Sequence, residues 1–179
     1  MRKILLLVTL LLTFFNLFAF SATADSSYVL PYPSSMPGSS FYKLGLLKEY
    51  ILKYWYFGDF GQFTYNLKES DRYLVEAKTL FEYKQYLLAY QSLRKSNQYF
   101  KNTAPYLLKA KEHGKDIKDK SIILKEAGRK HLQVLNILKS ELPSEFTWTP
   151  EKDSSQSLEI SRLLKASIDL REKYEKVNF

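Results

Sequence analysis

Residues 86–113 read YLLAYQSLRKSNQYFKNTAPYLLKAKEH, and their periodicity sets the fold class. Tyr86, Ala89/Tyr90, Leu93, Phe100, Ala104 and Leu107/Leu108 recur at helical spacing, with Asn97 in the same phase. The phase runs through Pro105 without a shift. A proline inside a helix removes one N–H and crowds the carbonyl four residues back, which bends a helix more readily than it splits one in phase. The stretch predicts one kinked helix over 86–113, ended by His113-Gly114.

The same period extends outward on both sides. Phe63, Leu67, Leu74, Ala77 and Phe81 predict a helix over 60–83 with Asp59 as its cap. Ahead of it, Phe41, Leu44, Leu47, Ile51, Leu52 and Trp55 form a stripe that predicts a helix over 40–56. Its expected buried face is that stripe, with Lys43, Glu49 and Lys53 opposite and Lys48 snorkelling at the edge. Ser39 or Ser40 can cap this helix, and Gly58 stops it. Leu124, Ala127, His131, Val134/Leu135, Leu138 and Leu142 predict a helix over 118–142. Gly128 inside it calls for a close helix contact, since glycine there costs roughly 1 kcal/mol relative to alanine. Residues 143–154 read as a loop. Residues 155–179 read as a C-terminal amphipathic helix with Ile160, Leu163/Leu164, Ser167, Leu170/Arg171, Tyr174 and Val177 on its stripe. The charges from Glu151 to Lys176 balance, six acidic and six basic, as expected of a solvated outer face or of a helix that docks weakly.

No stretch alternates with period two between turn signals. Short connections make antiparallel neighbours. The expected architecture is all-α: an antiparallel helical bundle or hairpin stack of about five helices. A signal peptide over 1–24 and a Pro/Ser-rich tether over 25–39 precede the helical domain of 40–142. In the tether, Pro31, Pro33 and Pro37 push their preceding residues toward extended backbone.

The leader has Arg2 and Lys3 before an apolar run of 17 residues over 4–20. Ala22-Thr23-Ala24 then supplies a small-residue cleavage site, with Ala24 as its last residue. The expected address is exported: periplasmic, cell-surface or secreted. An uncleaved anchor is the lesser reading, because 17 residues lie at the lower edge of spanning length. Beyond Ala24 the chain keeps 25 basic against 19 acidic residues, a net +6.

Composition excludes several chemistries. With no cysteine among 179 residues there is no disulfide, thiolate metal site, iron–sulfur cluster or cysteine nucleophile. Two histidines leave little for a metal centre. The sequence holds no G-x-S-x-G, H-E-x-x-H, Walker A or calcium-loop pattern. No catalytic, cofactor-binding or metal-ligating residue is expected, and the chain does not read as an enzyme. His131, on an apolar stripe, reads as a buried histidine hydrogen-bonded within the bundle. His113 reads as a helix C-terminal residue that meets exposed carbonyls.

Charge is unevenly laid out. Residues 83–111 contain no Asp or Glu but carry Lys84, Arg94, Lys95, Lys101, Lys109 and Lys111. These six make the candidate surface for an anionic ligand, with Tyr83, Tyr99 and Tyr106 as candidate exposed aromatics. For an exported chain the fitting partners are an anionic membrane surface or an acidic wall polymer, and protein partners follow. Nucleic acid is disfavoured, because Tyr86, Tyr90 and Phe100 lie on the core stripe and not where bases stack. The tyrosines of 40–56 suit packing first, then a membrane interface or a sugar-stacking surface.

Three local patterns resemble a family of exported bacterial domains of unknown function, family number 5667. They are the lead Leu30-Pro31-Tyr32-Pro33 through Met36-Pro37-Gly38-Ser39-Ser40-Phe41-Tyr42-Lys43-Leu44, the stretch Asp71-Arg72-Tyr73-Leu74-Val75-Glu76-Ala77, and Lys130-His131-Leu132-Gln133-Val134-Leu135. The resemblance spans about 28–138. Gly45, and Phe57-Gly58-Asp59-Phe60-Gly61 in place of an acidic–Pro–basic turn, depart from the family pattern. The resemblance implies export and an all-helical fold, and implies no activity or catalytic residues. The expected function is a non-catalytic binding or structural module at the cell envelope, acting through the basic and aromatic face of 86–113. The alternative is an extracytoplasmic helical chaperone or stress-sensing protein with an apolar groove for protein partners.

Overall fold

The structure, a computed structural model, describes residues 27–177 apart from Ser34 and Asp153. The expected leader, the expected cleavage site at Ala24 and the last two residues lie outside the described residues. Five helices and one small sheet follow in order: α1 (Tyr42–Trp55), α2 (Gly58–Glu82), α3 (Tyr86–Glu112), α4 (Lys118–Glu141), β1 (Phe146–Trp148), β2 (Gln156–Leu158) and α5 (Ile160–Lys176). The mostly helical bundle expected from the period is what the chain forms.

α2 and α3 pack together along their lengths, as do α4 and α5. The layering of buried residues shows that successive helices run antiparallel. One apolar layer holds Leu74, Ala77 and Phe81 of α2, Ala89 and Leu93 of α3, Leu135 and Leu138 of α4, and Ile160 and Leu164 of α5. The other holds Phe63 and Leu67 of α2, Phe100, Ala104 and Leu107 of α3, and Leu124 and Ala127 of α4, with Leu170 and Tyr174 of α5 against it. Each helix thus crosses from one layer to the other in the sense opposite to its predecessor. α2 to α5 form a four-helix core.

The turns explain the boundaries. α2 ends in a Schellman motif: the Gln85 amide donates to the Leu80 carbonyl at 2.8 Å and the Lys84 amide to Phe81 at 2.9 Å. Lys84 takes the left-handed position at φ 57°, where glycine is the usual residue. α3 ends the same way around Gly114 (φ 73°), with Lys115 bonded to Ala110 and Gly114 to Lys111, both at 2.9 Å. Pro105 lies inside α3, so the Lys101 carbonyl four residues earlier has no helical donor. The Tyr174 hydroxyl of α5 donates to that carbonyl at 2.9 Å. A neighbouring helix therefore repairs the bond that proline removes.

Several expectations need correction. Residues 156–158 are not the first turn of the last helix. They pair antiparallel with 146–148, Phe146 opposite Leu158, and the helix begins at Ile160. Strands of three residues are too short to display alternation, so the pattern could not reveal them. Phe146 turns inward onto Tyr86, ring centroids 4.6 Å apart. The last helix is not detached, since Ile160, Leu164, Ser167, Ile168 and Arg171 are all buried. The proline-rich segment is not a free tether either. Leu30 and Met36 pack on the first layer and Tyr28 on the second. Asp59 is not the cap of α2, which starts from Phe57; it lies in the first turn.

Gly128 of α4 is buried, yet a Cβ built on it meets Phe100 Cζ at 3.8 Å and the Arg171 carbonyl oxygen at 3.9 Å, which is ordinary contact. No close approach demands the glycine. Gly128→Ala is expected to raise stability by about 0.5–1 kcal/mol through helix propensity, read from urea unfolding midpoints at constant slope. Gly61 is different: a Cβ there meets the Tyr56 carbonyl carbon at 2.9 Å, so a side chain collides with the backbone where α1 hands over to α2.

Candidate functional site

A polar layer separates the two apolar layers of the core. α2 supplies Ser70 and Asp71, α3 Ser96 and Asn97, α4 His131, and α5 Ser167 and Arg171. Asp71 Oδ1 lies 2.7 Å from His131 Nε2, and Asp71 Oδ2 accepts from the Tyr28 hydroxyl at 2.6 Å. Arg171 Nε donates to His131 Nδ1 at 3.4 Å, so Nδ1 is the acceptor and Nε2 carries the proton. The guanidinium also donates to Ser96 Oγ at 2.9 Å, to Asn97 Oδ1 and to the Ser167 carbonyl at 3.3 Å. Its plane lies over the Phe100 ring, 4.7 Å from the centroid. Among the described residues no buried side-chain polar atom lacks a partner.

Arg171, His131 and Ser96 are wholly buried. Burial pulls the Arg171 guanidinium down to about 9 while Asp71 opposes the shift, so the group stays a cation at neutral pH. Burial also lowers the His131 imidazole below its ordinary value of 6.5; the Asp71 bond opposes this and the Arg171 charge adds to it. An Asp–His pair can serve as an acid–base couple, but here the imidazole is wholly buried and the carboxylate nearly so. Its chemistry is structural: a neutral imidazole bridges a carboxylate and a guanidinium and joins four helices in one register.

The sign of the histidine shift sets a pH dependence. Unfolded chains protonate the imidazole near pH 6.5, the folded chain only at lower pH, so protons favour the unfolded state in between. Stability from this group is complete above pH 6.5 and declines as pH falls below it. Asp71, Arg171 and the Phe100 ring are the groups facing the imidazole. Replacing His131 by Gln is expected to flatten the stability profile between about pH 6.5 and 5, measured by urea unfolding across pH. A profile unchanged by that replacement contradicts the assignment.

A second polar cluster holds α1. Glu49 is half-buried and accepts from Arg72 Nη2 at 2.6 Å, the Tyr73 hydroxyl at 2.7 Å and the Tyr99 hydroxyl at 2.5 Å. The Tyr65 hydroxyl donates to the Glu49 carbonyl at 3.3 Å. Arg72 also pairs with Glu69 at 2.7 Å and Glu76 at 3.6 Å. Glu76 in turn accepts from Ser92 at 2.7 Å and from Tyr42 of α1 at 3.3 Å. Burial opposes the Arg72 charge, but Glu69, Tyr73 and Glu49 more than offset it, so the group is held above its ordinary value. Burial first, then Glu49, pushes the Tyr73 and Tyr99 hydroxyls upward, and Tyr42 is pushed up to about 12 by burial and Glu76. Three carboxylates converge on one guanidinium here; they dock a helix.

This docking turns α1 inside out. The side facing the core carries Tyr42, Gly45, Glu49 and Leu52, which are half-buried, and α1 has no buried residue. Of the apolar stripe expected to be buried, Leu52 alone turns inward and the rest points away: Phe41 and Leu44 are exposed, Leu47 is 56% exposed, Ile51 54% and Trp55 75%. Tyr50, Tyr54 and Phe57 extend the same exposed surface. The physical reason is the strength of the Glu49 and Tyr42 bonds to the polar groove of α2 and α3, which contact with the apolar stripe cannot replace. Lys43 and Lys48 flank the stripe and are exposed, as is Lys53.

The six basic residues expected along 83–111 are all exposed: Lys84, Arg94, Lys95, Lys101, Lys109 and Lys111. Tyr83 is exposed at the α2–α3 turn, whereas Tyr99 and Tyr106 are half-buried. Tyr99 stacks on Tyr73 at 5.7 Å and bonds Glu49, so it is a packing residue, not a free platform. Lys95 lies over the Tyr73 ring at 4.8 Å and Lys109 over Tyr106 at 5.6 Å. His113 meets Asp59 at 2.8 Å and does not cap carbonyls; this bond, then Lys115, holds the Asp59 carboxyl below its ordinary value.

Arg171, Asp71 and Glu49 were not singled out by sequence reasoning. A signal existed for the first two: both fall on apolar stripes, in phase with His131 on a third helix. Among the described residues no group of three or more His, Asp or Glu side chains could hold a metal ion, and no helix is long and apolar enough to cross a membrane. No family model, curated protein or solved structure matches the chain. The resemblance of 28–138 to exported domains of unknown function thus rests on its three short patterns.

Proposed function

We propose that the protein is a non-catalytic, exported module that lies on an anionic membrane surface through α1. The observation that carries this reading is the outward apolar face of α1, from Phe41 to Trp55, bracketed by lysines. Contiguous exposed apolar surface of this kind marks an interaction site. Tryptophan, tyrosine and lysine together are the residues that settle at the boundary between headgroups and acyl chains. Charge argues for lipid over a second copy of the chain. Glu49 is the sole acid of α1 and is turned inward onto Arg72, so every outward charge of the helix is positive. Two such faces in contact would oppose lysine to lysine, whereas anionic headgroups neutralise them, each worth about 1 kcal/mol near the surface. The cations of α3 add long-range attraction without contact. The leader over 1–24 supports the extracytoplasmic setting.

The test uses the chain from Asp25, which holds every described contact, with vesicles of phosphatidylglycerol or phosphatidylcholine. Binding is expected to the anionic vesicles, weakening as salt rises. Changing Lys43 and Lys48 together to Gln is expected to weaken it about tenfold. Equal binding to neutral vesicles, or none at low salt, contradicts the reading. Salt-insensitive suppression of a client protein's aggregation favours the chaperone alternative.

A further inference from the structure

α1 is fastened to the α2–α3 hairpin along a narrow seam. None of its residues is buried, and Leu52 is the one aliphatic side chain on its half-buried side. Two clefts, of about 540 and 260 Å³, open on opposite flanks of the helix. Leu46, Tyr50 and Lys53 border the larger, Gly45, Lys48 and Leu52 the smaller, and Glu49 lines both. With space on both sides, side chains do not interlock as they do between bundle helices. Neither apolar layer of the core takes a residue from α1.

What fastens the seam is polar. The Glu49 carboxylate accepts from Arg72 and Tyr73 of α2 and from Tyr99 of α3, and Tyr42 reaches Glu76. Such charge-assisted bonds are strong but directional, and water replaces them once the carboxylate moves away. The ends of the helix are built to turn. Gly38 (φ 99°) and Gly58 (φ 73°) flank it in left-handed backbone, and a Cβ on either would meet nothing within 4 Å. Outside these glycines the chain is fixed, by Met36 on the first apolar layer and Phe60 on the second. Gln62 donates to the Lys53 and Tyr56 carbonyls and keeps the C-terminal end of α1 close to α2.

We infer that residues 39–57 form a flap over the α2–α3 hairpin, latched by Glu49 and pivoting at Gly38 and Gly58. Closed, the flap holds the hydroxyls of Tyr73 and Tyr99 on the Glu49 carboxylate, and Tyr65 and Tyr73 are 3% and 1% exposed. Open, it parts most at the Tyr42 end, the two clefts join into one groove, and Tyr65, Tyr73 and Arg72 meet water. α2 to α5 stay folded in both states, because their apolar layers are complete without α1. The inference stands whether or not α1 meets a membrane, since latch and pivots belong to the chain alone.

The test is made without lipid, on the chain from Asp25. The protein has no cysteine, so Lys43→Cys with Arg94→Cys places spin labels on α1 and α3 alone, and Arg94→Cys with Lys139→Cys gives a pair within the core. All three positions are exposed. The parent should give one narrow α1–α3 distance by pulsed electron spin resonance. Glu49→Gln is expected to add a longer population of at least about a tenth while the α3–α4 pair stays unchanged. A lifted helix of 14 residues is marginal in water, so its amides should exchange at least about tenfold faster in this variant, with those of Leu93 to Leu107 unaffected. Tyr99→Phe, which removes one latch bond and no charge, should shift both readouts less and in the same sense. Unaltered distances and exchange in Glu49→Gln, or loosening of α1 only together with the α3–α4 pair, would overturn the assignment.

Discussion

Arg171→Ala is expected to destabilise the protein by about 3–5 kcal/mol, lowering the thermal midpoint by on the order of 10 °C. The guanidinium is wholly buried and serves Ser96, Asn97, Ser167 and His131 at once. Its loss leaves the Asp71 charge without its buried counter-ion and His131 Nδ1 without a donor. Arg171→Lys is expected to recover little, because one ammonium cannot reach partners on three helices in the directions a planar guanidinium does. Hydrogen exchange should show the loss first in α5, which meets the other helices through this residue. A cost below about 1 kcal/mol for the alanine variant contradicts a buried, fully bonded cation.

Changing Leu47 and Ile51 together to Asp is expected to do the reverse: little to folding and much to binding. Both side chains are more than half exposed, so stability should stay within about 0.5 kcal/mol of the parent. Each aliphatic group stands to lose about 1.5–3 kcal/mol of burial at a lipid interface, and each new carboxylate is repelled by anionic headgroups. Affinity for phosphatidylglycerol vesicles should fall about 100-fold or more. Were α1 an ordinary bundle helix with its stripe inside, the same pair would unfold it, as Leu74→Asp in the buried core of α2 should.

What could be read from the residues, and what could not, divides along physical lines. The four core helices were legible because their stripes persist for many turns, even through Pro105. The helical identity of α1 was equally legible, but not the direction it faces. Amphipathicity reveals that a stripe is apolar; it does not say whether protein or another phase covers it. That orientation is decided by Glu49, whose partners Arg72, Tyr73 and Tyr99 lie 23 to 50 residues away in sequence. The polar layer left a fainter mark. The stripe of α2 skips from Leu67 to Leu74, and the gap is where Ser70 and Asp71 sit. Arg171 in phase with Leu164 and Ile168 was the matching anomaly on α5. Three ionisable residues on the apolar faces of three helices are costly unless they meet, and together they were the signal of a shared layer. The β1–β2 hairpin left no mark, being too short to alternate.

The central claim is that the apolar face of α1 contacts lipid, and Trp55 reports on it directly. Trp55 is 75% exposed on that face, and Trp148 of β1 is the only other tryptophan. In a Trp148→Phe background, the emission of Trp55 should shift to the blue on adding phosphatidylglycerol vesicles. Lipids brominated near the headgroup end of their chains should quench it. Emission that stays at its water value, unquenched by those lipids while the protein remains folded, contradicts the account.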